Sequence, residues 1–206
     1  QILYLRELDY FVDTTNAYSF EEISAAQFAE RFHKVPGYQN KDFIPGVAYW
    51  IRIPIHHQDH QSKTWLLEFY DQTIDHIEAF IPSERSGHVR EIMGDHYPFT
   101  QRTFQHKNFE VPLDMRKDTV LTYYFKVQSH EFADIRIAFR SNRRFISYAL
   151  NEYFLYGTFY GMILIIALYN FLVYLAIREI KNLFYIFYIL SVAFYAMSLD
   201  GIAFQY

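Results

Sequence analysis

Apolar and polar residues alternate along much of the amino-terminal part of the chain, with the period of two that is typical of half-buried β-strands. Turn-forming Gly, Pro, Asp and Ser separate the alternating runs. The runs are Ile2 to Val12, Ala48 to Ile55, Thr64 to Phe69, Ile74 to Ile81, His88 to Met93, Phe104 to Val111, Val120 to Val127 and Ile135 to Phe139. Roughly seven or eight short strands at this spacing predict a mainly β domain, an antiparallel β-sandwich of jelly-roll type.

One segment near the amino terminus carries a helix signal instead. Ser19 stands three positions before Glu22, which is the spacing of a capping box at the start of a helix. The apolar residues Phe20 and Ile23 follow this cap, and Pro36 ends the helical pattern. We therefore expect one short N-terminal helix that packs across the end of a sheet.

The carboxyl-terminal part contains two long apolar runs. The first, Leu155 to Ile177, holds no charged residue. At 1.5 Å per residue it is long enough to cross a hydrocarbon core of about 30 Å. A tight polar loop, Arg178 to Asn182, separates it from a second run, Leu183 to Leu199, which ends before Asp200 and becomes long enough to span with the residues up to Phe204. These runs predict a transmembrane helical hairpin; a buried hairpin in a soluble protein is the alternative, disfavoured because neither run offers a polar face to water.

This change of pattern divides the chain into two predicted domains. Residues 1–144 form an extracytoplasmic β-sandwich, and residues 145–206 form a connector and two membrane helices at about 155–177 and 183–204. The connector proper is Ser141 to Tyr153. Because the chain begins with Gln1 rather than methionine and stops after an apolar run, we expect it to be part of a longer protein.

Three residues in the first membrane helix favour packing against other helices. Gly157 and Gly161 are about one turn apart, a spacing that lets another helix approach closely. Placing the polar side chain of Asn170 at membrane depth is energetically unfavourable unless it forms a hydrogen bond. We therefore expect it to form an interhelical hydrogen bond. The cations Arg178 and Lys181 in the loop favour a cytoplasmic loop and an external sandwich only weakly, because large domains cross membranes regardless of charge.

Composition excludes several classes of function. The chain of 206 residues has a net charge of −4 and shows no basic stripe of the kind that binds nucleic acid. It contains no cysteine, which excludes disulfides, thiolate catalysis and thiolate-bound metals. No nucleophile elbow, phosphate loop or zinc-protease motif is present, so neither a cofactor nor a catalytic residue is indicated.

Candidate ligand-binding residues are the large aromatic and arginine side chains of the strands. Sugar-binding sandwiches use aromatic faces together with charged or amide groups, which makes Trp65, Arg52 and Arg102 the candidates. Arg102 follows the turn Tyr97-Pro98-Phe99, where a loop can present it to a ligand. The alternatives are core packing for Trp50 and Trp65, and ordinary ion pairs for the arginines.

Histidines and carboxylates offer two weaker hypotheses. The segment His56 to His60 is dense in imidazoles and can bind zinc or nickel, although a solvated hairpin turn explains it equally simply. Glu68 with Asp71, or Asp75 with Glu78, can be imagined as a glycosidase pair across a cleft. Carboxylates at strand ends are more often solvated, so we expect no metal site and no enzymatic activity in this chain.

The order of these features resembles a known family. The features are the capped helix at Phe20, Tyr49-Trp50-Ile51-Arg52, Trp65-Leu66-Leu67-Glu68, Gly94 to Phe99, Arg102, a glycine-containing first membrane helix with Tyr169-Asn170, and a Tyr-rich second helix near Asn182. Together they resemble the bacterial seven-transmembrane receptors with diverse intracellular signalling modules, in particular their second type of extracellular domain. One departure from the family pattern lies in the loop Arg178-Glu179-Ile180-Lys181-Asn182, where Lys181 and Asn182, rather than an acidic residue, stand directly before the predicted second helix.

The resemblance implies a jelly-roll domain, similar to carbohydrate-binding modules, outside the bacterial cytoplasmic membrane. Seven helices and a cytoplasmic output module, such as a histidine kinase or a diguanylate cyclase, would follow it. The predicted function is sensing of a carbohydrate or related small molecule, with relay through Ser141 to Tyr153 into a bundle embedded in the lipid bilayer. The alternatives are a module for binding another protein or a second copy of the chain and, less favoured, a membrane-tethered glycan hydrolase.

Overall fold

The computed structural model describes residues 2–56, 64–83, 87–113 and 119–202. The chain divides into two compact units, Gln1–Asn142 and Arg143–Tyr206. The first unit is built of β-strands and the second of α-helices, so the change of periodicity along the sequence corresponds to a change of architecture.

Within the described ranges the first unit contains nine strands in two antiparallel sheets. The strands are β1 (Ile2–Tyr4), β2 (Asp9–Asp13), β3 (Ala48–His56), β4 (Trp65–Phe69), β5 (His76–Ser83), β6 (Gly87–Met93), β7 (Phe109–Leu113), β8 (Val120–Gln128) and β9 (Arg136–Ser141). One sheet has the order β1-β9-β4-β7 and the other the order β2-β3-β8-β5-β6. The prediction of a mainly β, sandwich-like unit is confirmed.

Alternate side chains of both sheets form one shared core. Leu67 and Phe69 of β4 are fully buried, and they pack in the same cluster as Phe125 of β8. The rings of Phe69 and Phe125 meet edge to face, with centroids 5.2 Å apart, and so join the two sheets directly. The period-two pattern therefore marks the inner faces correctly.

The prediction of one strand from Ile2 to Val12 is wrong in one respect. A 3₁₀ turn at Leu5–Glu7 divides the segment, so that β1 pairs with β9 while β2 pairs with β3. Leu5 and Leu8 are both buried in the shared core, and a straight strand would place residues three apart on opposite faces. The turn brings both leucines inward and moves the chain from one sheet to the other.

The predicted helix is present and is short. It is α1 (Phe20–Ser24), and its capping box is confirmed: Ser19 N–H donates to Glu22 at 2.8 Å, and Glu22 N–H donates to the Ser19 hydroxyl at 3.4 Å. A 3₁₀ segment, Ala26–Arg31, continues it. The helical segment covers the outer face of the five-stranded sheet rather than its end, and its aromatic residues bury Trp50.

The second unit consists of α2 (Asn142–Ile177) and α3 (Ile180–Leu199). Both helices are long and apolar enough to cross a membrane by length and composition. The link between them is tighter than predicted, and Arg178 takes a positive φ of 55° there. The predicted connector is helical from Asn142 onward. The predicted end of the second helix, residues 203 and 204, lies outside the described residues.

Helix packing at the residues predicted for the first membrane helix stays a prediction. A Cβ added at Gly157 or Gly161 would meet no atom within 4 Å, so close helix packing at these glycines stays a prediction. The Asn170 amide donates to Ile166 of its own helix at 2.8 Å rather than to another helix. The described link between the helices is instead a hydrogen bond from the Tyr160 hydroxyl to Asp200, at 2.8 Å.

Candidate functional site

The two sheets leave an open edge where β6 and β7 are the last strands. The segment between these strands, residues 94–108, crosses this edge. A cavity of about 320 Å³ lies there, lined by Glu91, Ile92, Met93, Gln101, Arg102, Thr103, Phe109 and Glu110. This volume falls in the range of small-molecule sites, about 300–1,000 Å³.

Arg102 lines the cavity and also fixes the segment that covers it. Its guanidinium donates to the carbonyl oxygens of His106 and Lys107, at 2.9 and 2.5 Å. The same group lies over the rings of Phe99 and Phe109, with distances of 4.7 and 4.5 Å to the ring centroids. Two carbonyls and two rings therefore hold the guanidinium in one orientation.

Glu91 places a carboxyl group on the inner face of the edge strand β6. It lies opposite Ala79, a fully buried core residue of β5. Its Oε2 atom is buried and has no hydrogen-bond partner among the described residues. Burial raises the pKa of Glu91 above its ordinary value. The sequence pattern could have predicted the inward position of Glu91, because the period of two places it on the same face of β6 as Val89 and Met93.

Glu110 is a second carboxyl group at the cavity, and it belongs to a buried polar network. Burial raises its pKa to about 7, the nearby Glu68 adds to this rise, and the hydrogen bond with His106 opposes it. The His106 Nδ1 atom lies 2.7 Å from a Glu110 oxygen. Because β4 pairs with β7, Glu68 and Glu110 lie directly opposite each other on the same face of the sheet.

The charge of Glu68 is compensated inside the protein. Its side chain is fully buried, and its two oxygens accept from Asn108 at 2.7 Å and from Arg140 at 2.6 Å. Arg140 also donates to the Tyr70 hydroxyl. This network connects the cavity strand β7, through β4, to β9.

The raised pKa of Glu110 predicts an unusual pH dependence of stability. A carboxyl whose folded pKa lies near 7, against 4.5 when unfolded, binds more protons in the folded state between these values. We therefore expect its contribution to the free energy of unfolding to fall by about 3 kcal/mol as pH rises through that window. Urea unfolding at several pH values, compared between the native chain and Glu110→Gln, measures it. If Glu110→Gln left the dependence of the free energy of unfolding on pH unchanged, the raised pKa of Glu110 would be contradicted.

The other predicted ligand residues lie elsewhere in the sandwich. Arg52 is 3.5 Å from Asp9, and its guanidinium stacks on Phe32 at 4.8 Å. Trp65 is partly buried against the shared core. Neither residue lines the cavity at Arg102, so the structure does not bring the three candidates together. Ligand binding by Arg52 and Trp65 stays a prediction.

The predicted carboxylate pairs all accept hydrogen bonds from the protein itself. Glu68 is bound in the network described above. Asp71 accepts from Thr73 and from the Asp134 N–H, at 2.6 and 2.7 Å. Glu78 accepts from His76 and Arg90, and after the cost of burial these two partners lower its pKa to about 2. Such bonds are typical of carboxylates that stabilise a fold.

Within the described ranges, two clusters have the composition of a metal site. The first cluster is Glu68, His106 and Glu110. In it, His106 Nδ1 is hydrogen-bonded to Glu110, and the two Glu68 oxygens accept from Asn108 and Arg140. In the second, Asp75, His96 and His130, the ligand atoms lie near a separate cavity. Of the predicted metal-binding loop, His56 is described as the end of β3, and residues 57–60 lie outside the described residues.

A β-sandwich unit followed by two helices of membrane-spanning length and composition is the architecture expected of a membrane protein with a folded domain outside the bilayer. Residues 5–141 match the family described as 7TMR-DISM extracellular 2, and residues 152–206 match 7TM diverse intracellular signalling. The chain therefore belongs to the 7TMR-DISM family, as the resemblance in the sequence indicated. Its β-rich unit is the extracellular domain of a membrane receptor. No curated protein matches the chain.

Proposed function

We propose that the β-sandwich is the sensory domain of a bacterial cytoplasmic-membrane receptor and binds a carbohydrate or related polyhydroxylated molecule in the cavity beside Arg102. The observation that carries this proposal is the buried Oε2 atom of Glu91, which lines the cavity and has no hydrogen-bond partner in the part of the chain that the structure describes. Leaving such an acceptor unpaired costs about 1–3 kcal/mol, and a ligand hydroxyl that bonds to it removes this cost.

The remaining lining suits the same chemistry. Gln101 and Thr103 offer an amide and a hydroxyl for hydrogen bonds, and Phe109 adds an aromatic ring. The Arg102 guanidinium is already directed at backbone carbonyls, so it shapes the cavity and leaves little free charge for an anionic ligand. A neutral, hydroxyl-rich molecule matches this combination better than an acid.

The strand pairing supports the jelly-roll assignment on which the likeness to carbohydrate-binding modules depends. β1 pairs with β9, β3 with β8, β4 with β7 and β5 with β6. First and last strands are thus partners, and the pairing continues inward as in one long hairpin that has been wrapped into two sheets. β2 adds one strand at the edge.

We propose that occupancy of the cavity is relayed through β9. Glu110 lines the cavity, Glu68 lies opposite it, and Arg140 of β9 bonds to Glu68. β9 ends at Ser141, and α2 begins at the next residue. A ligand can bias the helices only by its different affinity for two arrangements of this network. Slower amide hydrogen exchange at residues 141–153 in bound protein would support the relay, and unchanged exchange would oppose it.

A thermal-unfolding screen of the whole chain in detergent tests ligand binding. The chain has two tryptophans, Trp50 in β3 and Trp65 in β4, so their fluorescence follows the sandwich alone. Mono- and oligosaccharides and small acids are added singly. We expect at least one saccharide to raise the midpoint, because ligand at a hundredfold excess over Kd adds about 2.7 kcal/mol to folding stability.

The matched variants assign the site of any hit. Glu91→Gln removes the carboxylate at nearly constant volume and is expected to weaken binding roughly tenfold, about 1.4 kcal/mol. The same change at the exposed Glu131 leaves binding intact. If both variants bound the ligand equally well, the ligand would have to bind outside this cavity. A flat screen on a well-folded chain would favour the protein-interaction alternative, and turnover of a glycan would favour an enzyme.

A further inference from the structure

Three potential metal ligands meet at one end of the five-stranded sheet. Asp75 comes directly before β5, His96 follows β6, and His130 follows β8. These strands are antiparallel neighbours in the order β8-β5-β6, with Ile77 paired to Met93 and His76 paired to Gln128. The start of β5 therefore lies beside the ends of both other strands.

The backbone fixes His96 next to Asp75. Gly94 has a φ of 146°, and a Cβ at this position would lie 2.1 Å from the Asp75 carbonyl oxygen. This close approach lets the Asp95 N–H donate to Ile74 at 2.8 Å and the His96 N–H donate to Asp75 at 3.2 Å. The position of His96 thus follows from a local requirement for glycine.

The distances between the side-chain atoms suit a small ion. The His130 Nδ1 atom is 2.8 Å from Asp75 Oδ2, and the His96 Nδ1 atom is 3.8 Å from Asp75 Oδ1. All three potential ligand atoms lie within 4.8 Å of one another. A tetrahedral ion with bonds of about 2.0–2.1 Å spaces its ligand atoms roughly 3.3 Å apart, between the two measured contacts.

A second observation independently indicates a ligand at this place. The cluster lines a cavity of about 270 Å³ that is separate from the one at Arg102. Ser129 lines the same cavity; it is 1% exposed, and its hydroxyl oxygen has no hydrogen-bond partner among the described residues. The side chains of His96 and His130 are 62% and 81% exposed, so an ion can reach them from solvent.

We propose that Asp75, His96 and His130 bind a divalent transition-metal ion of the zinc class. Two imidazoles and one carboxylate suit such ions, whereas calcium and magnesium prefer a full set of oxygen ligands. The ion takes the place of the proton between His130 and Asp75, and the His130 ring then carries its proton on Nε2. Three protein ligands leave a fourth position open toward the cavity for water or a small molecule.

Titration of the whole chain with zinc and cobalt tests this site. The chain is prepared without a polyhistidine tag, treated with chelator and kept in detergent, and binding is followed by calorimetry and by cobalt absorption. We expect one bound ion. His96→Ala and His130→Ala should each weaken binding roughly tenfold or more, as the loss of a supporting metal contact does elsewhere. Both side chains are exposed, so we expect each variant to remain folded, and tryptophan fluorescence checks this.

The histidine-rich segment, residues 56–60, provides the matched control. A double variant, His57→Gln with His60→Gln, removes two of the three imidazoles of this segment and is expected to keep the bound ion. Loss of binding in this control together with unchanged binding in His96→Ala and His130→Ala would overturn the proposal. Displacement of zinc by an equal concentration of calcium would also overturn the proposal. A site with two imidazole ligands should prefer zinc, whereas calcium prefers oxygen ligands.

Discussion

Gly94→Ala is expected to destabilise the β-sandwich by more than about 3 kcal/mol. The new Cβ would lie 2.1 Å from the Asp75 carbonyl oxygen and 2.9 Å from the His76 Cα, both backbone atoms that cannot move aside cheaply. The φ of 146° at this position adds strain for any residue with a side chain. Urea unfolding followed by tryptophan fluorescence measures the effect on the sandwich.

Gly37→Ala is the control for this prediction. Its Cβ would meet nothing within 4 Å, and its backbone does not take a positive φ. Because alanine restricts the unfolded chain more than glycine does, we expect no loss and a gain of about 0.4–1 kcal/mol. If both variants unfolded at the same urea concentration, the close approach between Gly94 and Asp75 would be disproved.

Arg140→Leu is expected to cost about 3–5 kcal/mol, the range for breaking a buried ion pair from one side. Glu68 is fully buried, and without Arg140 its charge would keep, among the partners that the structure describes, only the hydrogen bond from Asn108. Arg90→Leu is the comparison, because Arg90 is 54% exposed in its pair with Glu78. A pair of that exposure contributes about 1 kcal/mol at most.

A double variant separates the buried charge from the lost packing. Glu68→Gln removes the charge while keeping an oxygen that can accept from Asn108. Combined with Arg140→Leu, it should therefore be more stable than Arg140→Leu alone, which is a coupling that a double-mutant cycle measures. If the double variant were less stable than the single one, the cost would lie in packing by the arginine and not in an uncompensated charge.

The residues changed in these two predictions also support the two proposed binding sites. Gly94 positions His96 in the proposed metal site, and the Glu68–Arg140 pair lies between the cavity residue Glu110 and β9. Their variants must therefore be compared at conditions where each protein is fully folded. Metal binding and ligand binding can then be assigned to different cavities by His130→Ala and Glu91→Gln, which change neither of these structural elements.

Much of the fold could be predicted because its signals are local. Period-two alternation marks strands such as β8, and a cap such as Ser19 with Glu22 marks the start of a helix within four residues. Membrane-length runs are equally local, since they depend only on composition over one segment. The same signals could not show that the chain changes sheets at Leu5–Glu7, because both halves of that segment alternate alike.

The sequence by itself determined the class of this protein: an antiparallel β domain, two membrane-length helices, and the order of features of the 7TMR-DISM family. Only the tertiary structure decided which side chains meet. Asp75, His96 and His130 come from three separate strand ends, and Glu91 lies at a cavity closed by Arg102. Periodicity fixes which face a residue occupies, but strand pairing and loop closure over many residues decide what that face contacts.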